Sequence, residues 1–155
     1  MDKRKKKAIL SAASGKTVEL DRVPDEVFAS RMLGEGFAVE PQNGVFFSPA
    51  DGVIENVSET KHAYSIRSAD GLDILVHIGI DTVELGGEGF TPCVKKGDHV
   101  RAGDIIARAD LAFIKDQGFL TVTPVIVSNW DEMISYELSL GEAVGGETPV
   151  LRYNK

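Results

Sequence analysis

The chain has 155 residues, of which 43% are hydrophobic and 26% are charged. These values are ordinary for a globular protein and exclude a chain that is disordered throughout. A chain of this length is typical of one domain and can bury a core without disulfide support. Cys93 is its single cysteine, which excludes an internal disulfide and a zinc site built on cysteine pairs, and favours a reducing compartment.

Charge is spread unevenly along the chain, whose formal net charge is −7. Five of the 17 basic residues lie within residues 3–7, offset there only by Asp2, so residues 8–155 alone carry a net charge of −11. We interpret residues 1–7 as a basic, disordered leader and residues 8–155 as a single domain. An acidic domain is a poor match for nucleic acid, whose binding requires a basic face.

The apolar runs of the sequence lead us to expect neither a signal peptide nor a membrane-spanning helix. The apolar run Ala8-Ile9-Leu10 is interrupted at Ser11, well short of the roughly 7–15 residues of a signal-peptide core. No apolar run approaches the roughly 20 residues of a membrane-spanning helix. We therefore expect a cytoplasmic protein with no direct membrane insertion.

Short β-rich runs, separated by Gly, Asp, Asn and Pro, follow one another along the chain. Many short strands at this spacing predict an all-β protein, an antiparallel sandwich or barrel. The predicted strands are residues 17–20, 37–40, 45–48, 52–58, 63–68, 73–80, 99–100, 104–109, 121–128 and 150–153. Helical turns are predicted only at residues 24–31, 111–115 and 130–136.

The segment Lys96-Gly97-Asp98-His99-Val100-Arg101-Ala102-Gly103-Asp104 repeats a Gly-Asp pair six residues apart. Such pairs suit turns that need an unusual backbone angle or an aspartate bonded to its own backbone. A similar pattern occurs in biotinyl and lipoyl carrier domains and in other folds built on that hairpin. It therefore indicates a fold and says little about function.

Three histidines are candidates for chemistry, because imidazole titrates near physiological pH. His99 lies between the two Gly-Asp turns, which favours a solvated surface position. His62 and His77 lie on the two predicted strands that flank Ala69-Asp70-Gly71. A two-residue loop at either Asp70-Gly71 or Ala69-Asp70 brings their side chains together, diagonally or directly opposite, whereas a three-residue loop separates them to opposite faces.

Side-chain alternation sharpens the prediction for residues 73–80. The aliphatic residues at positions 74, 76, 78 and 80 share one side, which is the natural core side. His77 then points outward beside Leu75, and Gly79 leaves room for a close approach. Thr60 is placed to hydrogen-bond one ring nitrogen of His62 and so to fix its tautomer.

Two imidazoles on one exposed face permit more than one chemistry. They can bind a metal, with a third ligand from Asp81 or Glu84. They can also act as a nucleophile and an electrostatic helper. The sequence contains no Gly-x-Ser-x-Gly elbow, P-loop or Rossmann fingerprint, so hydrolase, NTPase and dehydrogenase functions lack support.

The sequence LVHIGIDTVEL at residues 75–85, followed by GEGF at 87–90, closely resembles the active-site signature of the glucose-type enzyme IIA of the bacterial phosphoenolpyruvate:sugar phosphotransferase system. TKHAYS at residues 60–65 resembles the second histidine segment of that family, at the family's distance from the signature. Further segments resemble the family in order, at residues 23–29, 32–36, 48–52, 123–125, 128–129 and 146–150.

This resemblance implies a role for each matching residue. The function that it implies requires no cofactor or metal. His77 corresponds to the histidine that accepts a phosphoryl group from the phosphohistidine carrier HPr and passes it to a cysteine of an enzyme IIB domain of a sugar permease. His62 corresponds to the partner that steadies the transferring group, and Thr60 to the hydroxyl that orients His62. The implied fold is an antiparallel β-sandwich of the barrel-sandwich hybrid type, with a duplicated hybrid motif.

A docking face for these partners is expected around His77. The candidate apolar residues are Phe28, Leu33, Leu75, Ile78 and Val83, although the parity of Ile78 favours a core position for it. Acidic residues nearby, Asp25, Asp81 and Glu84, are suited to meet basic side chains of HPr. Ser58 stands where relatives often carry a large apolar residue, and we expect this difference to weaken part of the docking face.

Two alternatives compete with a phosphoryl relay. A zinc metallopeptidase of a related hairpin fold needs His-x-x-x-Asp and His-x-His, but Ile66 and Gly79 occupy two of those ligand positions. The second alternative is a non-catalytic regulatory or binding module of the same fold. The loss of one histidine would have indicated such a module, and both His62 and His77 are present.

Overall fold

The computed structural model describes residues 7–155. It contains fourteen short strands, and every strand pairing is antiparallel. The strands are β1 Ala8–Leu10, β2 Gly15–Val18, β3 Glu35–Pro41, β4 Val45–Phe47, β5 Gly52–Val57, β6 Ala63–Ser68, β7 Asp73–His77, β8 Phe90–Pro92, β9 His99–Val100, β10 Ile105–Ala109, β11 Thr123–Val127, β12 Ser135–Leu138, β13 Gly141–Ala143 and β14 Pro149–Asn154.

Within residues 7–155, helical structure is limited to two short α-helices, α1 Glu26–Ala29 and α2 Leu111–Asp116, and to 3-10 turns at Leu20–Arg22, Thr82–Leu85 and Trp130–Glu132. An aspartate caps each α-helix: the Asp25 side chain accepts a hydrogen bond from Val27 N–H, and the Asp110 side chain accepts one from Phe113 N–H. No helix in residues 7–155 is long and apolar enough to cross a membrane.

Three sheets form a β-sandwich, which confirms the predicted fold class. The largest has the order β13-β2-β3-β11-β7-β6-β5-β9, and two three-stranded sheets have the orders β1-β14-β12 and β4-β10-β8. All three contribute to one main core, with Phe37 and Tyr64 from the large sheet, Leu151 from β14, and Phe46 and Ile106 from β4 and β10. Burial of these alternating apolar residues supplies most of the driving force for the fold.

A second, smaller apolar cluster forms on the outer face of the large sheet. Ala38 of β3 and Ile126 of β11 lie beneath Leu20, Val23 and Phe28 from the connection between β2 and β3. Ile80 joins this outer cluster, whereas Ile74, Val76 and Ile78 belong to the main core. The prediction that all four isoleucine and valine positions share one side was therefore wrong at Ile80, because strand β7 ends at His77.

Other predicted boundaries also need correction. Residues 130–136, predicted as helical, form a 3-10 turn that ends at Glu132, and strand β12 begins at Ser135 and pairs with β14. Strands β1, β8 and β13, of three residues each, were not predicted. The leader predicted over residues 1–7 lies outside the described residues except for Lys7, whose carbonyl accepts a hydrogen bond from Tyr153 N–H.

Candidate active site

The site is built around the end of strand β7, where His77 is the last strand residue. Gly79 follows with a φ of 81°, a left-handed conformation that turns its carbonyl back toward the ring. His77 Nδ1 donates a hydrogen bond to the Gly79 carbonyl oxygen at 2.8 Å. A carbonyl can only accept, so in the neutral imidazole the proton lies on Nδ1 and Nε2 carries the free lone pair.

Neighbouring residues hold this turn in place. Ile80 N–H donates to the Leu120 carbonyl at 3.1 Å, and the Thr82 hydroxyl donates to the Ile78 carbonyl at 2.6 Å. A Cβ added to Gly79 would lie 2.6 Å from Thr82 Cγ2 and 2.8 Å from the Leu120 oxygen. The position therefore admits only glycine, both for its backbone angle and for its space.

His62 reaches the same site from the residue before strand β6. It follows Lys61, whose φ is 63°, and its backbone N–H donates to Ser58 Oγ at 3.2 Å. Its Nδ1 lies 2.8 Å from Thr60 Oγ1 and 3.4 Å from Ser58 Oγ. Two hydroxyls thus orient the ring through Nδ1 and leave Nε2 outside these bonds.

The two imidazole rings lie 4.7 Å apart between centroids, nearly perpendicular at 86°. The hairpin that carries them has the three-residue loop Ala69-Asp70-Gly71, with Ser68 bonded to Leu72 and Ala63 opposite His77. The prediction that this register separates the histidines was wrong. Strand alternation governs His77 but not His62, because His62 precedes the strand and follows a left-handed residue.

Aromatic rings enclose the histidine pair. The Phe28 ring lies 5.0 Å from the His77 ring, and the Phe90 ring lies 6.4 Å from the His62 ring. His62 is buried, with 6% of its surface exposed, whereas His77 stays partly exposed. Such surroundings exclude bulk water from one side of the pair and leave the other accessible.

Burial shifts the titration of both histidines in the same direction. It lowers the pKa of His62 from 6.5 to about 4, with the charge of His77 as a second cause and hydrogen bonding to Thr60 opposing. It also lowers the pKa of His77, against the Gly79 hydrogen bond and the negative charges of Asp25 and Asp81. Both rings are therefore neutral near pH 7, the state in which an imidazole is a nucleophile.

The predicted docking residues occupy different environments. Val83 and Asp81 are exposed at the turn after Gly79, and Leu33 is exposed after α1. Leu75 is half-buried against the outer cluster. Phe28 is only 5% exposed and presents its ring to His77 rather than to solvent.

Three residues that contact the site were not among the predicted site residues: Ser58, Phe90 and Leu120. A serine two positions before Thr60 was a usable signal, since its hydroxyl is a natural backbone partner in a turn. Leu120 lies more than 40 residues along the chain from Gly79, so no local pattern links the two. Within residues 7–155, no three His, Cys, Asp or Glu side chains are placed to hold one metal ion, and neither Asp81 nor Glu84 completes such a set.

Residues 7–133 match the family model described as phosphoenolpyruvate-dependent sugar phosphotransferase system, EIIA 1. The chain belongs to this EIIA family. The resemblance inferred from the residues around His62 and His77 is therefore confirmed, and with it a phosphotransferase component of sugar transport.

Relatives support the same assignment. The glucose-specific EIIA component of Haemophilus influenzae is 42% identical over 147 residues, which cover 95% of this chain and 89% of that protein. The glucose-specific EIIA component of Oceanobacillus iheyensis is 41% identical over 145 residues, covering 93% and 88%. The solved structure of glucose permease IIA from Mycoplasma capricolum superposes with a TM-score of 0.84 at 35% identity, covering 93% of this chain and 94% of that one.

Proposed function

We propose that this EIIA protein accepts a phosphoryl group on His77 Nε2 from phospho-HPr and passes it to the cysteine of an enzyme IIB domain. The observation that carries the proposal is the hydrogen bond from His77 Nδ1 to the Gly79 carbonyl beside a second neutral imidazole. The bond fixes the tautomer whose Nε2 is the nucleophile, and the partly exposed ring is open to a partner protein.

Each transfer exchanges one bond to phosphorus for another. In the first, His77 Nε2 attacks the phosphorus, the new N–P bond forms, and the N–P bond to the HPr histidine breaks. In the second, the IIB thiolate attacks from the opposite side, an S–P bond forms, and the His77 imidazole leaves as the neutral ring. Phosphoryl transfer has a loose transition state, so catalysis is chiefly in-line positioning and charge stabilisation.

His62 supplies that charge stabilisation in the proposed mechanism. When the Thr60 hydroxyl donates to Nδ1, the His62 proton lies on Nε2, which can then donate to a phosphoryl oxygen. The 4.7 Å separation of the two rings is short enough for one phosphoryl group to contact both. This role requires neither a metal nor a bound cofactor.

The surface around His77 suits protein partners. Exposed apolar side chains follow α1 and surround the turn after Gly79, at Met32, Leu33, Val83 and Leu120. They provide an apolar rim that excludes water while the partner's histidine or cysteine approaches. Asp25 and Asp81 lie close enough to influence His77 and would attract a basic carrier. The relay also implies a cytoplasmic location, where both partners are found.

The test is incubation with enzyme I, HPr and labelled phosphoenolpyruvate. We expect acid-labile, base-stable label on the wild-type protein and none on His77→Gln. His62→Gln is expected to accept phosphoryl groups better than it passes them on, because His62 acts on the transferring group. His99→Gln, a histidine substitution on β9 far along the large sheet from β7, is the matched control and should behave as wild type. Undiminished label on His77→Gln would refute the proposal.

A further inference from the structure

Arg31 adopts a backbone conformation that arginine seldom adopts. It follows α1 and has a φ of 64°, in the left-handed region where glycine or asparagine normally ends a helix. A side chain with a Cβ costs roughly 1–2 kcal/mol there, so the surroundings must hold it in place. Such an outlier is a reason to ask what the side chain does.

The Arg31 side chain joins two acidic residues that lie on either side of it in the sequence, Asp21 and Glu35. Its guanidinium donates to Asp21, to Glu35 Oε1 at 2.6 Å and to the Ala29 carbonyl at 3.1 Å. The other Glu35 oxygen accepts from the Tyr136 hydroxyl at 2.8 Å. We call Asp21, Arg31, Glu35 and Tyr136 the Arg31 clip; it joins the 3-10 turn at Leu20–Arg22 to strands β3 and β12.

The segment that the clip spans carries the ring packed on His77. Phe28 lies in α1, and its carbonyl accepts a hydrogen bond from Arg31 N–H at 3.1 Å. A four-residue helix is far too short to hold its own shape, so its position depends on its attachments. One attachment is the outer apolar cluster, and the other is the clip.

We infer that Arg31 is a positioning residue for the His77 site. Through the clip it fixes the segment 20–34 on the sheet, so that the Phe28 ring is held against the His77 imidazole and covers one side of it. The same attachment orients Met32 and Leu33, the exposed apolar residues that directly follow Arg31. The effect on transfer rates rests on the proposed relay, whereas the effect on the His77 environment does not.

The environment of His77 supplies a readout that a merely structural role would not change. The charged or titratable groups that face His77 are His62 before β6, Asp25 at the start of α1 and Asp81 after β7. Phe28 and Asp25 both lie on the clipped segment. The Phe28 ring adds to the burial that lowers the pKa of His77, whereas the negative charge of Asp25 raises it. Because burial is the largest cause of the shift, loosening the segment should move the pKa of His77 up toward 6.5.

The experiment compares Arg31→Asn with Arg22→Asn in the full chain. Asparagine tolerates the left-handed conformation, so Arg31→Asn removes the clip without adding backbone strain. Arg22 is exposed in the same 3-10 turn as Asp21 and forms no ion pair within residues 7–155, which makes it the control for the lost charge. The His77 titration is followed by NMR, and kcat/KM for phosphoryl transfer from HPr is measured.

We expect Arg31→Asn to remain folded, to titrate at His77 closer to 6.5 and to lose about tenfold in kcat/KM, because a displaced Phe28 ring leaves the imidazole imperfectly positioned. Arg22→Asn should match the wild type in both. A folded Arg31→Asn that titrates and transfers like the wild type overturns the inference. If Arg31→Asn does not fold, Glu35→Gln is measured in its place, and the same results support or overturn the inference. If neither variant folds, the role of the clip is structural and the inference fails. A wild type without transfer activity refutes only the relay, because the His77 titration still decides the role of Arg31.

Discussion

A single backbone turn determines which nitrogen of His77 carries the free lone pair. Strand β7 presents the side chain, and the left-handed Gly79 brings its own carbonyl to 2.8 Å from Nδ1. In the proposed relay, the nucleophile is thus prepared by the residue two positions later in the chain, before any partner arrives. Loss of that carbonyl's position would free the ring to exchange tautomers.

Gly79→Ala is therefore expected to impair both the fold and the site. The new Cβ meets Thr82 at 2.6 Å and the Leu120 oxygen at 2.8 Å, in addition to the cost of a positive φ. Backbone strain and overpacking together should lower the free energy of unfolding by about 3 kcal/mol. Urea unfolding measures the loss, and phosphoryl acceptance should fall with it.

Gly97→Ala is the matched control for that substitution. Gly97 has a similar φ of 94°, but a Cβ there would meet nothing within 4 Å. Only the cost of the positive φ remains, so we expect a loss of about 1 kcal/mol and normal phosphoryl acceptance. Equal losses for the two variants would show that crowding around Gly79 contributes nothing.

At the scale of secondary structure, the hairpin of β6 and β7 shows what periodicity can predict. Alternation placed Ile74, Val76 and Ile78 in the core, and all three are buried there. It could not predict that the two histidines meet across a three-residue loop. That outcome depends on Lys61, a left-handed lysine that nothing in its local sequence marks as a turn residue.

Strand β12 shows a different limit of sequence patterns. Residues 130–136 begin with a 3-10 turn, which is compatible with the predicted helix. The residues Ser135–Leu138 nevertheless form a strand that pairs with β14, from Ser135 opposite Asn154 to Leu138 opposite Leu151. A strand of four residues is stabilised by its neighbour rather than by its own composition. The Gly-Asp turns around β9, in contrast, were recognisable because each turn stabilises itself, with Asp98 accepting from Lys95 N–H and Asp104 from Arg101 N–H.

Helix α2 offers a test of local stabilisation away from the histidines. Asp110 caps its first turn by accepting from Phe113 N–H at 3.0 Å, and Phe113 packs closely over Gly89. Asp110→Ala should lower the free energy of unfolding by about 1 kcal/mol, the usual cost of losing an N-cap. Asp116→Ala removes the same charge at the other end of α2 and should change stability by less than about 0.5 kcal/mol. Indistinguishable urea midpoints for the two variants would contradict a capping role for Asp110.

For the whole molecule, the site lies where two apolar clusters come close. His62 contacts Phe90 of the main core, and His77 contacts Phe28 of the outer cluster. The family motif singled out His62 and His77, whose rings the structure brings together. The outer cluster, in contrast, joins residues 20–38 to Ile80 and Ile126, which no local pattern connects. The clip at Arg31 belongs to the same long-range arrangement, since Asp21 and Tyr136 are 115 positions apart in sequence.

Because the clusters bury two neutral imidazoles, the stability of the whole chain should depend on pH. An unfolded histidine titrates near 6.5, whereas the pKa of folded His62 is about 4. Between these values the unfolded chain binds a proton that the folded chain does not, so acid favours unfolding. The contribution of His62 is complete above pH 6.5 and is lost as the pH falls to 4, about 3 kcal/mol in all. His77, whose pKa is also lowered, acts in the same direction.

Urea unfolding at several pH values between 7.5 and 4 measures this dependence, and His62→Gln separates it from the titration of carboxylates. The variant starts from a different stability at pH 7.5 because it loses the bond to Thr60, so the quantity to compare is the change with pH. We expect His62→Gln to lose less stability than the wild type on acidification, by roughly the 3 kcal/mol assigned to His62. His99→Gln, at an exposed position on β9, should follow the wild-type curve. Parallel curves for wild type and His62→Gln would mean that the pKa of folded His62 is close to its unfolded value of 6.5. The two imidazoles of the proposed relay would then both be neutral only above about pH 6.5.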